Sequence, residues 1–118
     1  MARYADGFLI PVPKKHLKAY AALSKKAGKI WKEHGALEYC ECVGDDMNVK
    51  FGLPFPKLVK PKTGETLVFS WIVYKSRAHR DSVNAKVMKD ERMREPPKVM
   101  PFDMKRMAYG GFKLLVDL

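Results

Sequence analysis

Apolar and polar residues alternate along two stretches of this chain, recur at helical spacing along two others and run together in one. Residues 4–10 are rich in strand formers, and their alternation puts Asp6, Phe8 and Ile10 on one face. Pro11 and Pro13 cannot donate to a ladder, so they predict that this first strand stops at Ile10 and a helix follows. Across residues 14–34, Leu17, Tyr20, Leu23, Ala27, Ile30 and Trp31 recur near the 3.6-residue period, and Gly35 supplies a left-handed stop. Gly28 falls inside that helix, where it costs about 1 kcal/mol against alanine, which points to a close approach of the sheet.

Residues 37–43 alternate again, with Leu37, Tyr39, Glu41 and Val43 on one face and Glu38, Cys40 and Cys42 on the other. If both faces are covered, one of them takes an acid inward. The proline- and lysine-bearing residues 44–65 read as a long loop, a functional flap or an arm packed on a partner subunit. Residues 66–74 are almost continuously apolar, as in a central strand buried on both faces, with Ser70 the polar interruption. Ser76 caps a second helix over 77–90, turned inward at Val83 and Val87. Residues 92–101 form a connector with at most a short turn, and a last strand is expected over 106–114.

The resulting β-α-β-β-α-β order predicts an α+β, ferredoxin-like unit, with two helices on one face of a four-stranded antiparallel sheet, as a single domain over 1–118. The second sheet face would expose Phe8, Phe69 and Trp71 or their alternation partners, so a face-to-face homodimer is expected.

Composition narrows the function classes. The 118 residues are 47% hydrophobic, enough for one core. The apolar runs at 8–12 and 67–74 are too short to span a bilayer, and the N-terminal stretch lacks the long apolar segment of a signal peptide. A cytoplasmic protein without membrane association is expected. Cys40 and Cys42 lie two apart on a strand, too far for easy bridging, and read as reduced thiols. Three scattered histidines and one Cys-x-Cys pair give no metal-ligand spacing, so no metal is expected.

The net charge of +10 favours anionic partners. Lys18, Lys25, Lys29 and Lys32 on the first helix, with Lys57, Lys60 and Lys62 in the loop, are the candidates for nucleic acid or an acidic partner. Against that stands a solvated helix face, since no nucleic-acid motif accompanies the lysines and the aromatics belong to the core pattern.

Candidates for a ligand pocket are Asp6, Glu38, Glu41, Ser70, Arg106 and Tyr109, polar residues flanked by apolar ones within the strands. Desolvated carboxylates beside an arginine and a tyrosine suit an acidic or carbonyl ligand, or proton abstraction. The same residues equally suit a satisfied network of buried hydrogen bonds and ion pairs. Trp71 offers a stacking surface, and His34 is either a base or a cap at the first helix's C-terminus. On a regular strand Arg106 and Tyr109 face opposite ways. A purely structural or interaction role is the third alternative.

Six segments in order carry a resemblance over nearly the whole chain. They are Asp6-Gly-Phe, Trp31-Lys-Glu-His-Gly-Ala-Leu-Glu, Val68-Phe-Ser-Trp-Ile-Val-Tyr, Asn84-Ala-Lys-Val-Met, Met100-Pro-Phe-Asp and Lys105-Arg-Met-Ala-Tyr-Gly-Gly-Phe. The chain resembles the YbaA-like family of small bacterial proteins of unknown function. That resemblance implies the dimeric α/β-barrel superfamily, in which two ferredoxin-like units pack sheet to sheet and each can enclose a pocket. It implies no reaction, since superfamily members range from monooxygenases and lactone isomerases to ligand-sensing domains. Cofactor-free relatives in the superfamily motivate the expectation of a small organic ligand, with turnover that needs no cofactor.

Overall fold

The computed structural model describes residues 2–118. Strands β1 (Tyr4–Pro13), β2 (Glu38–Val43), β3 (Glu65–Tyr74) and β4 (Ala108–Lys113) form one sheet in the order β2-β3-β1-β4, each neighbouring pair antiparallel. Helices α1 (Leu17–Glu33) and α3 (Arg77–Lys89) pack on one face, and a short helix, α2 (Phe55–Val59), lies in the long β2–β3 connection. This is the α+β arrangement of a ferredoxin-like unit, with β2 and β4 as open edges.

Alternation decides which residues meet the helices. The register pairs Tyr4 with Tyr74, Asp6 with Ile72, Phe8 with Ser70 and Ile10 with Val68, and β2 adds Tyr39 opposite Ile72 and Glu41 opposite Ser70. Two packed clusters result, one joining Ile30, Ile72, Tyr74, Val83 and Val87, the other Ile10, Val12, Tyr20 and Val68. Gly28 lets α1 approach β2, because a Cβ there would lie 2.7 Å from ring carbons of Tyr39.

Four expectations change. β1 does not stop at Ile10 but continues through both prolines, with Pro11 opposite Leu67 and Pro13 opposite Glu65. Pairing with β4 ends at Leu9. Two residues apart, the proline nitrogens point to one side of the strand, and that side has no ladder partner beyond Leu9, so the missing donors cost nothing. The first helix opens as a 3-10 turn, Lys14–His16, before α1. Residues 44–65 are not structureless: Pro54 caps α2, and Phe55 packs on Phe69 at 6.1 Å, so the arm lies on its own sheet. The last strand starts at Ala108, because Asp103 caps a 3-10 turn, Met104–Arg106, that takes Arg106 out of the strand.

On the sheet face away from α1 and α3, the alternation leaves Phe69, Trp71 and Phe112 outward, while Phe8 faces the helices. Phe69 is 45% exposed and Phe112 64%.

Candidate functional site

A cavity of about 520 Å³ lies between the helix side of the sheet, α1 and the connector that follows α3. Its inner wall includes Ile10, Ser70 and Ile72 from the two central strands, and α1 contributes Leu23, Ala27 and Trp31. Met93, Phe102 and Met107 of the connector close it from the other side.

Polar groups converge at one place in this apolar enclosure. Glu41 accepts hydrogen bonds from the Tyr20 hydroxyl at 2.7 Å and the Tyr39 hydroxyl at 2.9 Å, one on each carboxylate oxygen. Burial, reinforced by Glu41, pushes both tyrosine hydroxyls well above their ordinary titration range, so they stay protonated donors. Ser70 sits opposite Glu41 in the ladder, is 5% exposed, lines the cavity and makes no side-chain hydrogen bond to a described residue. Its hydroxyl is free to donate or accept. The rim carries Lys26, Arg92, Arg94 and Glu95.

The other candidates lie elsewhere. Asp6, 4% exposed, receives the Arg80 guanidinium at 2.6 Å, and Arg80 lies 4.9 Å over the Tyr4 ring. Burial raises the Asp6 carboxyl above its ordinary value, opposed by Arg80, Tyr74 and Asn84. Asn84 accepts from Trp31 Nε1 at 3.1 Å and from the Tyr74 hydroxyl at 3.3 Å. Asp6 therefore belongs to a satisfied buried network beside the cavity.

Glu38 is on the opposite sheet face, where it accepts from Trp71 Nε1 at 3.0 Å; Trp71 borders the cavity, but its indole is committed there. Cys40, a free thiol like Cys42, is pushed above its ordinary value by desolvation and by Glu38. Arg106 forks onto Glu65 at 2.7 and 2.8 Å, and Tyr109 stacks on Phe8 at 5.7 Å on the open β4 edge, so neither lines the cavity. His34 caps α1 and meets Asp90 at 2.8 Å; Arg92 and then His34 hold the Asp90 carboxyl well below the usual carboxylate range. Of the eight pocket candidates, the fold brings Glu41 and Ser70 together in the cavity with Trp71 at its border, and pairs Trp71 with Glu38 on the opposite sheet face.

Tyr20 and Tyr39 were not among the candidates. Tyr39 shares its strand face with Glu41 and Tyr20 lies on the apolar stripe of α1, a signal that was present but reads as core. Lys25, Lys29 and Lys32 border a groove of about 870 Å³ between α1 and the free edge of β2, which meets the cavity at Tyr20, Ser24, Tyr39 and Glu41, whereas Lys18, Lys57, Lys60 and Lys62 lie outside it. Among the described residues, no three or more His, Cys, Asp or Glu side chains are grouped to hold a metal ion, and no helix is long and apolar enough to cross a membrane.

The profile of a family described as "Protein of unknown function (DUF1428)" matches residues 3–104. "Uncharacterized protein YbaA" of Escherichia coli K12 is 44% identical over 115 residues, 98% of each chain, and YbaA of Shigella flexneri matches equally. Among solved structures, a dimeric ferredoxin-like protein from an uncultured marine organism aligns over 100% of both chains with a TM-score of 0.63 at 11% identity, a likeness of fold.

Proposed function

We propose that this chain, which belongs to the DUF1428 family and within it resembles YbaA, binds a small, flat, mainly apolar organic molecule in the cavity between its sheet and α1. The observation that carries this is the pairing of a free Ser70 hydroxyl with the Tyr20–Glu41–Tyr39 group inside an enclosure of about 520 Å³. Small-molecule sites are typically apolar cavities of that size with a few convergent polar groups. A satisfied structural network, the alternative that fits Asp6, leaves no free hydroxyl facing a cavity.

Naphthol, a flat molecule with one hydroxyl, is a suitable first probe, observed by saturation-transfer NMR. Binding is expected to the native chain, and a loss of about tenfold or more in Ala27→Trp, whose indole fills the space beside Trp31. Leu23→Trp blocks the same space from the next turn of α1 and guards against a misfolded first variant. Undiminished binding to either folded variant would refute a site in this cavity.

In the same proposal the chain is one domain, and two copies pack through their open sheet faces as a dimeric α/β barrel. The exposed Phe69 and Phe112, and the dimeric state named for the fold relative, support it. Light scattering should give twice the mass of the 118-residue chain, and Phe112→Glu with Phe69→Glu should give the single mass. A native chain that scatters as a monomer at micromolar concentration overturns the dimer.

A further inference from the structure

The cavity is polarised from its inner wall to its rim. Inside are Glu41 and Ser70; at the rim are Lys26, Arg92, Arg94 and Glu95. Arg92 is already engaged by Glu33 at 2.6 Å and Asp90 at 2.8 Å. Lys26 and Arg94 are exposed and form no ion pair with a described residue, so two uncommitted cations face one carboxylate, Glu95, at the opening. Between the two ends the lining is aromatic and aliphatic, with Phe8, Trp31 and Phe102 at its sides.

We propose, resting on the ligand-binding reading above, that the ligand class is a flat aromatic acid with a hydroxyl at the end remote from its acidic group. The hydroxyl enters first and donates to Glu41, while Ser70 exchanges a second hydrogen bond with it. Each Glu41 oxygen accepts one tyrosine proton and keeps a second acceptor site, so the carboxylate has capacity for one more donor. The acidic group stays at the rim, opposite Lys26 and Arg94. The reverse orientation sets a ligand carboxylate against Glu41 with no cation of the cavity lining beside it, because Lys25, Lys29 and Lys32 border the groove on the β2 edge and the half-buried Arg80 is held by Asp6 at 2.6 Å and does not line the cavity. Like charges brought together at a partly desolvated site repel, which selects the orientation.

Four probes separate these claims by calorimetry: naphthol, naphthoic acid, a hydroxynaphthoic acid with its groups at opposite ends, and the methoxy analogue of that acid. The hydroxy acid should bind about tenfold or more tighter than its methoxy analogue, which keeps the shape but cannot donate to Glu41. It should exceed naphthol by roughly threefold at low salt, and that margin should close at high salt, as expected for exposed cations. Arg94→Glu combined with Lys26→Glu, both at exposed positions, should abolish the hydroxy acid's margin over naphthol, and Glu41→Gln should abolish its margin over the methoxy analogue. Naphthol binding that Ala27→Trp removes, with no added affinity for the hydroxy acid, overturns the polarity while leaving the cavity reading intact. Failure of all four probes to bind overturns both.

Discussion

Arg80→Ala is expected to lower stability by about 3 kcal/mol at neutral pH, the largest effect of any substitution outside the aliphatic core. It would strand Asp6, whose side chain is 5% exposed and whose cation sits 2.6 Å away. Removing one partner of a buried pair typically costs 3–5 kcal/mol; the lower end applies because Arg80 itself keeps 17% exposure and water can follow. The loss should depend on pH. Burial outweighs Arg80 and raises the folded-state Asp6 carboxyl above its ordinary value, so the folded chain holds a proton over a range where the unfolded chain has released it. Stability from Asp6 is then fully present below the ordinary carboxylate range and falls as pH rises through the folded value. Without Arg80 the folded value rises further, so the fall becomes larger and reaches higher pH. Asp6→Asn should remove that component of the slope, and Asp6→Asn with Arg80→Met should recover most of the stability, since an uncharged pair of similar shape leaves no buried charge unpaired. Denaturant midpoints across the acid-to-neutral range measure all four chains. An Arg80→Ala midpoint equal to the native one at neutral pH would mean that Asp6 is protonated there in both, and the pairing argument would fail.

How far the sequence carried depended on whether a feature was local. The four strands, two main helices and their order follow from periodicity, because each element's pattern is contained in its own residues. Glu41 and Ser70 were visible as polar interruptions of apolar strands, and their meeting follows from the register. What escaped was set by partners distant along the chain. Asp6 reads as a pocket acid until Arg80, 74 residues later, is placed against it. Arg106 reads as a strand residue until Glu65, 41 residues earlier, holds it in a turn. The prolines of β1 look like terminators because the sequence does not reveal that β4 falls short of them. The cavity's outer wall comes from the connector after α3, which has no periodicity to read, so Met93, Phe102 and Met107 gave no warning of a site.

The paired glycines of β4 are expected to differ sharply when each becomes alanine. Successive strand residues point to opposite faces, so one substitution adds a methyl to the open face and the other adds it to the buried one. Gly110 lies opposite Gly7, and a Cβ on it would touch only the Phe112 ring at 3.8 Å, an ordinary contact. Gly110→Ala should stay within about 0.5 kcal/mol of the native chain, with reduced backbone freedom in the unfolded state offsetting any small contact cost. Gly111 lies opposite Asp6, and a Cβ there would fall 2.7 Å from Tyr4 Cε2 and still closer to its hydroxyl oxygen. The Tyr4 ring cannot move aside freely, since it is 9% exposed and carries the Arg80 guanidinium 4.9 Å above it. Gly111→Ala should therefore cost about 2–3 kcal/mol, as overpacking of a fixed core does, and lower the thermal midpoint by roughly 10 °C. Because Tyr4 also positions Arg80, the strain should spread to the Asp6 pair, and the effects of Gly111→Ala and Arg80→Ala should not add. Adding Tyr4→Leu should return part of the loss by removing the ring that the new methyl strikes. Equal midpoints for Gly110→Ala and Gly111→Ala would show that the Tyr4 ring yields, and that the second glycine is not what lets β4 lie beside the buried charge.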